Sequence, residues 1–242
     1  MDVYTKMAHI VLVISMRNIL LINPNTNAQT TAMMVQLVQQ HLPASWCVYG
    51  VTAEQGVSMI TTAQELYAAS HQVRACWVQA QNHLNLSWDG VILACYADPE
   101  IEWLRAATGV PTVGIGEASM QAASAGQRRF GIATTTPELD LAMRMQVERL
   151  GLKHWYCGAR YTEGNPMQLV AQADALLQQL HHAVEQCAQS DGAQAVVIGG
   201  GPLGQAAQAL AAQTNIPLIA PLTAAAQWMQ QALNPSGLET IP

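Results

Sequence analysis

Two stretches of this chain recur in its second half. DGVILACYADP and GVPTVGIGEASMQAA (residues 89–99 and 109–123) return as AQAVVIGGGPL and NIPLIAPLTAAAQWM (193–203 and 215–229), and ILLINPNT (19–26) is answered by RFGIATTTP (129–137). A repeat constrains the fold more tightly than any local pattern, because both copies must bury the same apolar runs against the same helical faces. Each copy sets short strand-like runs between helix-forming segments, and alternation at that spacing builds parallel sheets covered by helices through right-handed crossovers. The expected class is α/β, with two pseudo-symmetric lobes, each a four-stranded parallel sheet flanked by helices, and a cleft between them. A barrel of eight strands uses the same elements, but a repeat of four favours two lobes.

In chain order, strands are expected at 19–22, 46–51, the run ending at Cys95, and 111–115, then at 129–133, 155–161, 195–199 and 216–220. Met34, Leu37, Val38 and Leu42 share one helical face, and Leu42-Pro43 ends that helix. Thr62 with Glu65 makes a capping box for a helix running towards His83. Further helices are read from Pro99 to Thr108, closed by Gly109, and from Glu117 to Ala125, then from Pro137, 166–189, 202–213 and 223–233. Eight strands thus alternate with eight helices. The expected division is a first lobe at 16–115, completed by the C-terminal helix 222–242, and a second lobe at 116–221. Residues 1–15 read as an upstream extension, since Ala8 to Ser15 is apolar but too short to span a membrane and runs into a second methionine, Met16.

Chemistry is expected in DGVILACYADPE, residues 89–100. Cys95 falls where a buried parallel strand gives way to a loop, the place where open α/β sheets bind ligands. A following helix opening at Asp98-Pro99 would offer exposed N–H groups and partial positive charge, which favour thiolate. The plain alternative is a strand-end cysteine acting as a small hydrophobe. Aligning the halves sets Cys95 against Gly200, or against Gly199 or Gly201 if the register slips by one. One lobe thus offers a thiol where the other offers a glycine run. Asn23, Asn25 and Thr26 from the first lobe and Thr134 and Thr135 from the second lie in turns that open helices, where backbone N–H groups suit a carboxylate; the same residues also serve as simple caps. Tyr96 either narrows the pocket or points into the sheet. Asp98 and Glu117 read first as helix-start acids.

Several classes are excluded. Ten basic against sixteen acidic residues, with lysine only at positions 6 and 153, leave no basic stripe for nucleic acid. Five cysteines without close pairing suit a reducing, cytoplasmic setting better than a disulfide framework. Neither CxxC nor HExxH occurs, and no metal site is expected. Residues 199–204 match GxGxxG, but no Asp or Glu follows between Asp191 and Glu239 to hold a ribose, so a dinucleotide is not expected.

Together, ILLINPNT, ILACYADPEI, GVPTVGIGEAS, RFGIATT and PLIAPLTAAAQ resemble the Asp/Glu/hydantoin racemase superfamily, especially its hydantoin and allantoin racemase branch. The resemblance runs from Met16 over nearly the whole chain. It implies two α/β lobes, no cofactor, a small carboxylate or hydantoin-like substrate between them, no membrane partner, and a homo-oligomer. In that family two cysteines work on opposite faces of a carbon acid. Here Cys95 stands for the first, while Ile198-Gly199-Gly200-Gly201-Pro202 stands where family members read something like LGCAG. The expected function is racemase-like chemistry at an α-carbon with one cysteine as base or nucleophile, Gly200 and Gly201 lining the opposite wall. A single-cysteine decarboxylase or cis-trans isomerase, or a binding protein without catalysis, are the alternatives.

Overall fold

The computed structural model describes residues 16–234; the expected extension at 1–15 and the last residues of the expected helix 222–242 lie outside them. Two four-stranded parallel sheets form. In the first, β1 (Arg17–Asn23), β2 (Trp46–Thr52), β3 (Gly90–Leu93) and β4 (Thr112–Gly114) lie in the order β2-β1-β3-β4. In the second, β5 (Phe130–Thr134), β6 (Tyr156–Tyr161), β7 (Ala195–Gly199) and β8 (Leu218–Ile219) take the matching order β6-β5-β7-β8. Central strands such as β3 and β7 are buried along their whole length, which is why they are written as unbroken apolar runs instead of alternating ones.

The helices are α1 (Ala28–Gln39), α2 (Ala63–His83), α3 (Ile101–Thr108), α4 (Ile115–Ser124), α5 (Asp140–Arg149), α6 (Pro166–Val170), α7 (Ala173–Glu185), α8 (Gly204–Ala211) and α9 (Pro221–Leu233). The capping box at Thr62 and Glu65 forms as the sequence requires. Four expectations change. The single helix at 166–189 is two, broken where Gln172 turns extended, and it ends in a π-helical turn at Gln186–Ser190. Leu169, Leu176 and Leu180 keep one buried face across the break, so periodicity alone reads it as continuous. Strand β8 shrinks to two residues. Helix α3 starts at Ile101 and not at Pro99, because Ala97, Asp98 and Glu100 all adopt left-handed backbone. Helix α4 starts at Ile115, two residues ahead of Glu117.

The lobes exchange helices. Helix α4 follows the first sheet yet packs on β7 of the second, while α9 follows the second sheet and packs on β3 and β4 of the first. The two helices also pack on each other. One continuous core results, joining Ile19 and Ile92 of one sheet to Phe130 and Val197 of the other through Met120, Ala225 and Met229. Separate cores under α2 and α7 cover the outer faces.

Candidate active site

Ladder register fixes how the strand ends correspond. Ile22, one residue before the end of β1, pairs with Leu93; Ala133, one residue before the end of β5, pairs with Ile198. Two residues beyond those partners stand Cys95 and Gly200, so the two halves superpose in the register expected from sequence. Each follows the carboxyl end of a central strand, at the end of the sheet that borders the space between the lobes.

A cavity of about 50 Å³ lies there, lined by Asn23, Asn25, Met59, Ile60, Ala94, Cys95 and Tyr96 from the first lobe and by Thr136, Leu139, Gly201 and Pro202 from the second. A site needs roughly 10–15 Å³ of such volume to admit a water, so this one admits ordered water. Of the residues singled out by sequence, Asn23, Asn25, Cys95, Tyr96 and Gly201 line the cavity, whereas Thr26, Thr134, Thr135 and Gly200 do not.

The reasons lie in how each is used. Thr26 gives its backbone N–H to Val57 O at 2.9 Å, tying the first turn to the irregular segment after β2. Thr134 donates its hydroxyl to Gly199 O at 2.6 Å, joining the ends of β5 and β7, and Thr135 is buried beside it. Asn23 donates from Nδ2 to Asn25 Oδ1 and to Thr31 Oγ1, both at 2.9 Å, and accepts from Asn25 N at 3.2 Å, so its amide holds the turn. Gly200 has φ +139°, a backbone closed to residues with a Cβ. Gly201 instead packs tightly on the first lobe, since a Cβ there would meet Met34 Sδ at 2.7 Å.

Tyr96 points inward. Its ring lies against Gly199, and its hydroxyl is enclosed beside Ser119, whose own hydrogen bond goes to Gly116 O. Burial pushes this phenol far above its ordinary range. Met59, Ile60, Leu139 and Pro202 complete the apolar wall and escaped the sequence reading. The only local signal was an apolar pair, Met59-Ile60, standing in an otherwise polar connection.

Cys95 is 7% exposed, and its Sγ has only a weak contact of 3.7 Å to Tyr96 O. Burial pushes the thiol well above the usual range, and the nearby Asp98 carboxyl pushes it further. The expected help from a helix amino terminus is not met: α3 begins six residues on, beyond a left-handed turn, and the resting group is a thiol. Asp98 caps α4 instead of α3. Its Oδ1 accepts from Gly116 N at 2.9 Å, its Oδ2 accepts from Glu117 N at 2.7 Å, and Gln146 Nε2 donates to the same Oδ2. Glu117 faces Arg105, which donates to its carboxylate, and accepts from Gly114 N at 3.2 Å. Cys157 and Cys187 stand away from the cavity. Among the described residues no group of His, Cys, Asp or Glu is placed to hold a metal, and no helix is long and apolar enough to cross a membrane.

With this geometry in place the comparison with known proteins is decisive. Residues 19–229 match the Asp/Glu/hydantoin racemase family. The chain belongs to that family. This racemase-like isomerase is 24% identical over 208 residues to a hydantoin racemase of Paenarthrobacter aurescens, covering 86% of this chain and 87% of the relative. Its fold is similar to that of allantoin racemase from Pseudomonas fluorescens, with a TM-score of 0.83 at 23% identity and 93% of both chains covered. Allantoin racemase from Klebsiella pneumoniae follows with a TM-score of 0.80 at 25% identity, over 93% of this chain and 90% of that one.

Proposed function

We propose that this racemase-family chain works without a cofactor at the α-carbon of a small amino acid, hydantoin or related carboxylate, with Cys95 as its one catalytic cysteine. The observation that carries this reading is chemical: among the described residues lining the inter-lobe cavity, Cys95 and Tyr96 are the ones with a titratable side chain, and the hydroxyl of Tyr96 is buried without a partner. Asn25 and the turn around Thr136 supply polar contacts for a substrate's carbonyl or carboxylate, while Met59, Ile60 and Leu139 receive its apolar part. No charged side chain lines the space, so recognition rests on amide and backbone groups.

The cavity is smaller than an ordinary ligand site, which spans roughly 300–1,000 Å³. Substrate entry therefore separates the Met59-Ile60 segment from the Leu139-Pro202 wall, and closure excludes water from the reacting carbon. Cys95 starts as a thiol; its proton passes to a water in the cavity, and the thiolate so formed takes the substrate's α-proton. The wall opposite offers Thr136, Leu139, Gly201 and Pro202, none of which titrates near neutrality. Inversion then uses that water as the second acid: it returns the proton received from Cys95 to the opposite face of the carbon, leaving the thiol restored and the water neutral. The same wall favours a second reading, in which chemistry stays on one face and the outcome is decarboxylation or cis-trans isomerisation of a small dicarboxylate.

The test is α-hydrogen exchange in deuterated buffer with 5-methylhydantoin, alanine and methylmalonate, followed by mass and by optical rotation. Exchange with loss of rotation in the hydantoin or alanine supports the first reading; exchange there with rotation retained, or release of propionate from methylmalonate, supports the second. Cys95→Ala is expected to lower turnover at least 100-fold, in line with the roughly 10²–10⁴ supplied by a positioned acid or base. Unchanged turnover in that variant would remove the cysteine from the mechanism.

A further inference from the structure

The turn that carries Cys95 is built in an unfavourable way. Ala97, Asp98 and Glu100 have φ of 77°, 48° and 60°, three left-handed residues within four, and none of them glycine. Each costs on the order of 1 kcal/mol, and such backbone persists only where the surroundings hold it. What holds it is visible. The Asp98 carboxyl enters a cradle made by omitting two side chains. A Cβ at Gly114 would sit 2.1 Å from Asp98 Cγ, and one at Gly116 would sit 2.7 Å from Gln146 Nε2 and 3.1 Å from Asp98 Oδ1. Into that cradle the start of α4 gives two N–H groups, and α5 of the other lobe gives the amide of Gln146. Gln146 is 3% exposed, and its Oε1 is buried without a donor, so the amide is held there by the carboxyl alone.

Three donors from two helices thus converge on one carboxyl three residues from the thiol. From the outside the turn is held by Arg74, whose Nε and Nη2 donate to Glu100 Oε2 at 3.0 and 2.5 Å. The same seam between α3 and α5 carries a surface ion pair, Arg149 to Glu102 at 2.9 Å, exposed and therefore weak.

We propose that Asp98 and Gln146 are positioning residues: the carboxyl clamps the strained turn to α4, and the Gln146 amide ties that clamp to the second lobe, setting where Cys95 Sγ stands relative to the Gly199–Gly201 wall. The proposal rests on Cys95 being the catalytic group, but its test separates the two. Gln146→Met keeps length and packing while removing the hydrogen bond. Two readouts follow: alkylation of Cys95 by iodoacetamide, resolved by peptide mass spectrometry, and turnover of 5-methylhydantoin exchange. With the tie gone the turn loosens, and Cys95 alkylates at least threefold faster. Turnover falls about tenfold or more with KM within threefold. Lys153→Ala, which breaks only the exposed pair with Glu148 at the end of α5, leaves both readouts as in the parent.

Cys95 alkylation within threefold of the parent in folded Gln146→Met would overturn the tie. If Gln146→Met fails to fold, Gly116→Ala, which displaces the same amide, decides on the same threshold. Faster alkylation in a protein that turns over none of the probes, with or without Cys95, would sink the catalytic reading and leave the tie standing.

Discussion

The two lobes share a strand order and a register, yet their mouths are built from opposite materials. Counting on from the equivalent positions Cys95 and Gly200, Asp98 corresponds to Leu203, and Gly114 and Gly116 correspond to Ala220 and Leu222. In the first lobe two missing side chains admit a buried carboxyl that caps the crossing helix α4. In the second the same slots are filled by carbon: Leu203 and Leu222 are 1% exposed, and α9 starts on Pro221 with no acidic cap. The difference teaches that the duplication kept the scaffold and divided the labour. One mouth carries the titratable groups and the strained turn; the other supplies a glycine-lined wall against which the first can close.

The largest way to break this contrast is to give the first lobe the second lobe's residue. Gly114→Ala has no backbone objection, since φ is −91° there, so its whole cost is the collision with Asp98. Expelling the carboxyl leaves the N–H groups of Gly116 and Glu117 buried without a partner, and we expect a loss of roughly 3–5 kcal/mol in urea unfolding. The double variant Gly114→Ala/Asp98→Ala removes the collision and should be more stable than Gly114→Ala alone. Were the single variant within 1 kcal/mol of the parent, the cradle would not hold the carboxyl as described.

A smaller effect separates the lobes by pH. Burial raises Asp98 to about 7; the Glu117 carboxylate pushes the same way, while the two helix N–H groups and Arg149 oppose it. For an acid raised in the folded state, the folded chain keeps a proton that the unfolded chain has released. Stability therefore falls as pH rises from about 4 to 7 and is level above. Glu65, Glu148 and Asp191 are held below their usual range and work in the opposite sense, but their influence ends by about pH 5. Urea unfolding at pH 5.5 and pH 8 should show the parent losing on the order of a few kcal/mol and Asp98→Asn losing far less. A parent curve that is flat or rising over this interval would mean the carboxyl is ionised throughout.

How much of this was legible in advance depends on what kind of signal each feature leaves. Parallel strands buried on both faces advertise themselves as apolar runs, and the repeat supplied the pairing, so the two-sheet architecture and the correspondence of Cys95 with Gly200 were readable from the sequence. The turn at Ala97, Asp98 and Glu100 was not, because left-handed backbone does not select alanine or glutamate and a lone aspartate visits it only as an isolated residue. Asp98 beside Pro99 reads as the cap of the next helix, and only tertiary structure reveals that it caps α4 from a distance. The glycines of VGIGE, residues 113–117, carry no label saying that their missing side chains serve a carboxyl elsewhere. Met59 and Ile60 were missed for a related reason: an apolar pair in a connection acquires meaning only when the opposite wall is in place.

The smallest effect concerns the glycine run itself. At Gly200 an added Cβ meets only Leu203, at 3.5 Å, which is ordinary contact, so space is not the constraint. The constraint is φ at +139°, a region that residues bearing a Cβ rarely enter. Gly200→Ala should accordingly cost about 1–2 kcal/mol through backbone strain, with no cavity or collision to add to it. Gly201→Ala offers the sharper contrast one residue away. Its Cβ would press on Met34 Sδ, the end of a flexible side chain, so part of that cost is relieved by a change of rotamer. Measured side by side, a larger loss at Gly200 than at Gly201 would show that the second mouth is shaped by backbone conformation; the reverse order would place its constraint in the packing of α1 against the wall.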